Sequence, residues 1–211
     1  MARRNHNHHR AGRQRLAVAQ AAARILLEAG NRDYAAAKRK AAERLGVRDR
    51  HGLPANHEIE AALAELQRIF HAHSQPQALA RLRRQAVAAM ELLAPFRPRL
   101  VGAVLRGTAD AHSPIHLHVF ADSPEAVTLF LMEREIPFEH GQRRVRLDEQ
   151  RRAELPVCRF IAGGDRVELT VFPPEGERQP PLSPVDGRPM ARADLKAVRR
   201  LLEDEGLGPG R

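Results

Sequence analysis

The pattern of apolar and polar positions changes character once along the chain. Up to residue 94 apolar residues recur at three- and four-residue spacing, and beyond residue 99 they alternate. Arg13 to Ala29 reads as a helix with Gly30 as its stop, and residues 1–12 before it as a disordered, basic, His-rich tail. Asp33 suits the cap of a second, Ala-rich helix, "YAAAKRKAAERLG", which ends at Gly46. Asn56 suits the cap of a third, whose Ile59, Leu63, Leu66 and Phe70 form one buried stripe. Pro76 fits the first turn of a fourth, with Leu79, Leu82, Met90 and Leu93 on its core face. "PFRP" at 95–98 ends it.

Strand signals follow. "RLVGAVLRG" (99–107) is rich in β-formers and closes on Gly107, and "IHLHVF" (115–120) alternates apolar residues with histidine. "SPEAVTLFLMERE" (123–135) turns helical, with Val127, Phe130 and Leu131 facing inward. "RRVRL", "PVCRFIA" and "RVELTVF" are three further strands, the last two forming a hairpin turned at Gly163-Gly164-Asp165. A Pro-rich loop leads to a final helix capped near Arg192–Asp194 and stopped at Gly206. The expected chain is therefore α+β. It has a tail (1–12), a helical basic region (13–94), and a small mixed-sheet domain (95–205) with a C-terminal helix.

Composition narrows the function classes. Hydrophobic residues are 43% of the 211, enough for a real core. Aromatic residues are only 4%, with no Trp, which argues against a platform that stacks bases on rings. No apolar run is long enough to span a membrane, and "MARRNHNHHR" lacks the apolar stretch of a secretory signal. The single cysteine, Cys158, allows no internal disulfide and sits among Val157, Phe160 and Ile161 like a core thiol. These features predict a cytoplasmic protein without a membrane partner. Charge adds a polyanionic one. The net +9 resides entirely in residues 1–50, which hold 13 Lys/Arg against 4 Asp/Glu. Lys38, Arg39, Lys40 and Arg44 cover much of the second helix and are the candidates for gripping RNA or DNA phosphates.

The segment "LRGTADAHSPIHLHVF" resembles the polymerase β-like nucleotidyltransferase superfamily, over roughly residues 95–175. That family places a Gly-Ser turn before a strand carrying two aspartates, with a third carboxylate on a later strand. The resemblance implies a nucleotide ligand, a divalent metal, and a nucleotidyltransferase-like domain. It puts Gly107, Thr108 and Ser113 at the nucleotide-binding turn. The first Asp falls on Pro114, the second on His116, and the third carboxylate on Glu168 in "VELTVF". Proline has no side-chain ligand and histidine suits hard Mg²⁺ poorly, so two-metal catalysis is expected to be weak or absent. The implied function is a catalytically degraded nucleotidyltransferase-like protein that binds nucleotide or RNA ends. The stretch "EAGNRDYAAAKRKAAERLG" also resembles the helical N-terminus that some bacterial proteins pair with such a domain. No Walker-type phosphate loop occurs in the chain.

One alternative is a non-enzymatic nucleic-acid-binding protein that uses the basic N-terminal helices, and three more concern the histidine strand. His116 and His118 share one strand face and, with Glu168 or His112, can hold Mn²⁺ or Zn²⁺ in an active transferase, with His116 and Glu168 as catalytic candidates. Asp110 in the preceding loop can replace a missing acid. Equally, the two histidines and Glu168 can be a solvated outer face of the sheet.

Overall fold

The computed structural model describes residues 2–29, 33–47, 53–70 and 74–204. The chain forms two compact units. The first comprises Met1–Ala72 with Pro184–Asp186, and the second His73–Ser183 with Gly187–Arg211. The division falls between the third and fourth helices, not at residue 94 where the sequence pattern places it. The fourth helix belongs with the sheet because Leu82, Met90 and Leu93 are buried in the sheet's own apolar cluster.

The first unit is built on α1 (Ala2–Ala29), α2 (Tyr34–Arg44) and α3 (Asn56–Phe70). α1 starts at Ala2, so the segment expected to be a disordered tail is helical. Its alanines and arginines are good helix formers, and Gly12 alone costs only about 1 kcal/mol. Gly30, expected as the stop, lies outside the described residues. Val18, Ala22, Leu26, Ala37, Ala41, Ile59 and Leu63 fill the core. Many of these are alanine, which lets helices approach closely and explains the Ala-rich pattern. Asp33 caps α2 as expected, accepting from Ala36 N at 2.9 Å. Asn56 does not cap α3. Glu58 reaches back instead, accepting from Ala55 N at 2.6 Å and from Arg15 Nε at 2.9 Å.

The second unit runs α4 (Ser74–Leu92), β1 (Arg99–Val101), α5 (Gly102–Arg106), β2 (Ile115–Phe120), α6 (Pro124–Glu133), β3 (Glu139–Arg146), β4 (Arg152–Ala162), β5 (Asp165–Phe172) and α7 (Leu195–Asp204). The expected strand over 99–107 is therefore short, and residues 102–106 form one helical turn. Gly107, in the left-handed region, closes it. Asp194 caps α7, accepting from Ala197 N at 2.8 Å, while Gly206 lies outside the described residues. The five strands form one mixed sheet in the order β1-β2-β5-β4-β3. β2 and β5 pair in parallel at its centre, and the other neighbours pair antiparallel.

Alternation divides the sheet's side chains between two faces. One face carries Ile115, Leu117, Val167 and Leu169, packed with Met90 and Leu93 of α4, Val127 and Leu131 of α6, and Val198 of α7. Each such side chain contributes about 1.5–3 kcal/mol when fully buried. Cys158 is a core thiol here, and burial pushes its pKa up. The other face carries His116, His118 and Phe120 beside Glu168, Thr170 and Phe172. The segment after β5 is bonded to the strand rims. Leu182 N donates to Arg146 O at 2.6 Å, and Ala193 exchanges both backbone hydrogen bonds with Leu100. These bonds tie the chain after β5 to the ends of β3 and β1, and Phe120 and Phe172 are fully buried.

Candidate functional site

Strand register assembles a polar row across the second face. His116 on β2 stands directly beside Glu168 on β5, and Glu168 stands directly beside Arg159 on β4. Arg143 reaches the same carboxylate from β3. Glu168 is 7% exposed, yet fully engaged. Its Oε2 accepts from Arg159 Nε at 2.7 Å and its Oε1 from Arg143 Nη2. His116 Nδ1 lies 3.1 Å from Oε1 without meeting hydrogen-bond geometry. Burial works to raise the Glu168 pKa. His116 and the two guanidiniums outweigh it and hold the carboxyl at about 2.

Two glycines make room for this row. The Arg159 guanidinium occupies the space where a Cβ on Gly141 of β3 would stand. Gly141 has ordinary strand geometry, so what glycine supplies there is room for the end of the Arg159 side chain. Gly102, at φ +76°, packs against the His116 ring, with Cδ2 3.3 Å from where a Cβ would sit. The glycine beside the row is thus Gly102, which opens α5, and not Gly107, which closes it.

A second polar cluster adjoins the row. His118 is 2% exposed, and its Nδ1 accepts from Arg192 Nε at 3.0 Å. Burial, and then the Arg192, Arg143 and His116 charges, push the His118 pKa well below its ordinary value, so the ring is neutral. Arg192 Nη1 donates to Gly176 O at 2.6 Å and Glu177 O at 3.2 Å, and its guanidinium lies 4.9 Å from the Phe172 ring centroid. Burial and nearby Arg99 lower the Arg192 pKa to about 10.

The expected solvated face is therefore corrected. His118 and Glu168 are buried, His118 against Arg192 and Phe172 and Glu168 beneath Arg143 and Arg159. The turn expected to bind nucleotide also looks different in three dimensions. The Gly107 and Thr108 amides both donate to Ala103 O, as helix-closing bonds. Ser113 Oγ accepts from Asp110 N at 3.0 Å and donates to Asp110 Oδ1 at 2.9 Å, sealing the loop on itself. Gly107, Thr108 and Ser113 are thus engaged within their own turn, and Asp110 is committed to that loop. In the first unit Arg39, Lys40 and Arg44 are exposed on α2 and Lys38 is half-buried.

A divalent cation does not fit the donor set. Glu168 gives both oxygens to guanidiniums, His118 Nδ1 accepts a hydrogen bond from Arg192 Nε, and Pro114 supplies no ligand. Among the described residues, no three His, Cys, Asp or Glu side chains are grouped as metal ligands. What the row can do is hold an anion. Arg143 and Arg159 are about a third exposed (36% and 34%), and each donates to Glu168. Both guanidiniums are thus partly open to solvent, and a planar guanidinium suits phosphate. Sequence patterning missed Arg143, Arg159, Arg192, Gly102 and Gly141. The only available signal was Gly141 interrupting a strand, which marks a close approach.

No family model, curated protein or solved structure matches this chain.

Proposed function

We propose that the second unit binds the phosphate groups of a nucleotide or an RNA end at the Arg143–Arg159 row, in a nucleotidyltransferase-like domain without two-metal catalysis. The observation that carries this reading is the clamp on Glu168. The one carboxylate in the row is neutralised by two arginines, so the row presents excess positive charge where a metal-dependent transferase needs carboxylates. His116, half-buried beside the clamp, adds a ring nitrogen to the rim.

Titration calorimetry with ATP in Mg²⁺, in Mn²⁺ and in EDTA tests it. Binding is expected in all three and is expected to weaken with salt. Binding that requires a metal, or Mg²⁺-dependent nucleotide transfer by the wild type, overturns the reading and favours a transferase with altered ligands.

The exposure of Arg39, Lys40 and Arg44 on α2 supports a second, separate role for the first unit. There the basic helix grips nucleic-acid phosphates, independently of the row.

A further inference from the structure

A pocket of about 550 Å³ adjoins the row, lined by Pro137, Phe138, Glu139, Arg159, Ile161 and Arg166. Its volume falls within the roughly 300–1,000 Å³ of small-molecule sites. Arg159 is common to both features: its Nε holds Glu168, and the same side chain lines the pocket. The pocket's walls are mixed in a specific way. Phe138 and Ile161 are apolar, Glu139 accepts hydrogen bonds, and Arg166 adds a second cation.

Ile161 is the unexplained member. It is 64% exposed, on a strand whose neighbours Phe160 and Cys158 are buried. Register places Ile161 directly opposite Arg166. Nothing in the second unit's core uses it, although a branched apolar side chain at that exposure gains by being covered. An anion alone gives it no cover, whereas a flat, partly apolar ring joined to a phosphate does. Arg159 is part-exposed in the row and also lines the pocket with Ile161 and Phe138, so a ligand whose phosphate meets the row can extend past Arg159 into the pocket.

We infer that this pocket receives the nucleoside part of the ligand, so that the site takes nucleotides in preference to bare polyphosphates. The inference rests on the phosphate-binding reading above and deepens it. Phe138 and Ile161 cover the faces of the base, and Glu139 accepts from an exocyclic amine or a ribose hydroxyl. Arg159 spans the two halves of the ligand, and Arg166 stands over the sugar-phosphate edge. Only one aromatic ring is used, in keeping with the low aromatic content of the chain.

The test is a comparison of ATP, UTP and inorganic tripolyphosphate, titrated in EDTA into the full chain and into Ile161→Ser. Ile161 is exposed, so this variant is expected to keep its fold, checked by an unchanged melting temperature. The wild type is expected to bind both nucleotides more tightly than tripolyphosphate. Ile161→Ser is expected to bind the nucleotides about fivefold more weakly and tripolyphosphate unchanged, the loss of one covered aliphatic group. Equal affinity for all three ligands, or an Ile161→Ser variant indistinguishable from wild type, overturns this inference and leaves the phosphate reading standing. Absence of binding by tripolyphosphate and nucleotides alike overturns both.

Discussion

Arg192 donates its Nε proton to Nδ1 of the buried His118, a bond that only a neutral imidazole can accept. Protonating His118 removes the acceptor and sets two cations against each other. The folded-state pKa of His118 lies well below the ordinary 6.5, so the unfolded chain takes up the proton first as pH falls. The stabilisation is complete above about pH 6.5 and declines below it. Urea unfolding from pH 8 to pH 4 should show this decline. It should be shallower in His118→Asn, whose amide oxygen can still accept from Arg192 and does not titrate. Equal slopes in the two proteins would mean that His118 is not the titrating group.

Glu168 titrates in a lower window. Its carboxyl, held at about 2 against an ordinary 4.5, contributes stability that is fully present above about pH 4.5 and is lost as pH falls towards 2. Glu168→Gln leaves Arg143 and Arg159 facing each other without a counter-charge. Because both arginines are a third exposed, the cost should be about 2 kcal/mol, below the range for fully buried pairs. The difference between variant and wild type, measured by denaturation, should shrink between pH 5 and pH 3. A constant difference across that range would refute the ion-pair account.

Gly141→Ala places a methyl group where the Arg159 guanidinium lies. The head group is the far end of a flexible, part-exposed side chain, so it shifts off Glu168 at a cost of about 1 kcal/mol or less, and the main expected effect is weaker ATP binding. Stability and affinity both at wild-type levels would show that Arg159 has another way to reach its partner.

For the first unit, the replacement of Lys38, Arg39, Lys40 and Arg44 by Ala should reduce the dependence of log Kd on log salt by about 2–4 for a short RNA or DNA duplex. ATP binding by the second unit should stay as it is. A slope unchanged by all four replacements would remove α2 from any nucleic-acid interface.

The order of elements was legible from periodicity because each helix and strand declares its own spacing. Asp33, Ser123 and Asp194 stand at helix starts where the local pattern puts them. Misreadings arose where neighbours in space decide. Val104 and Leu105 look like strand residues, but the Gly107 and Thr108 amides fold back to Ala103 O. The histidines of β2 look like a polar outer face, because nothing local says that the chain after β5 ties itself to the strand rims. The row itself was hardest to see. Glu168 stood out as a lone acid on an apolar strand. Arg143 and Arg159, among many arginines, gained meaning only from cross-strand register, which no single segment encodes.

The parallel pairing of β2 with β5 has a consequence for how the molecule is made. β3, β4 and β5 join through tight turns and can form among themselves, but β2 meets β5 only after α6 and the whole β3–β4 arm have been threaded between them. Contacts so distant along the chain close slowly. His116 and Glu168 come from these two strands, so the pair is a product of the closing event and not of any earlier intermediate. In a refolding experiment, recovery of ligand binding should then lag behind recovery of helical signal, and a nascent chain lacking β5 would hold the histidine without the carboxylate that gives it a role.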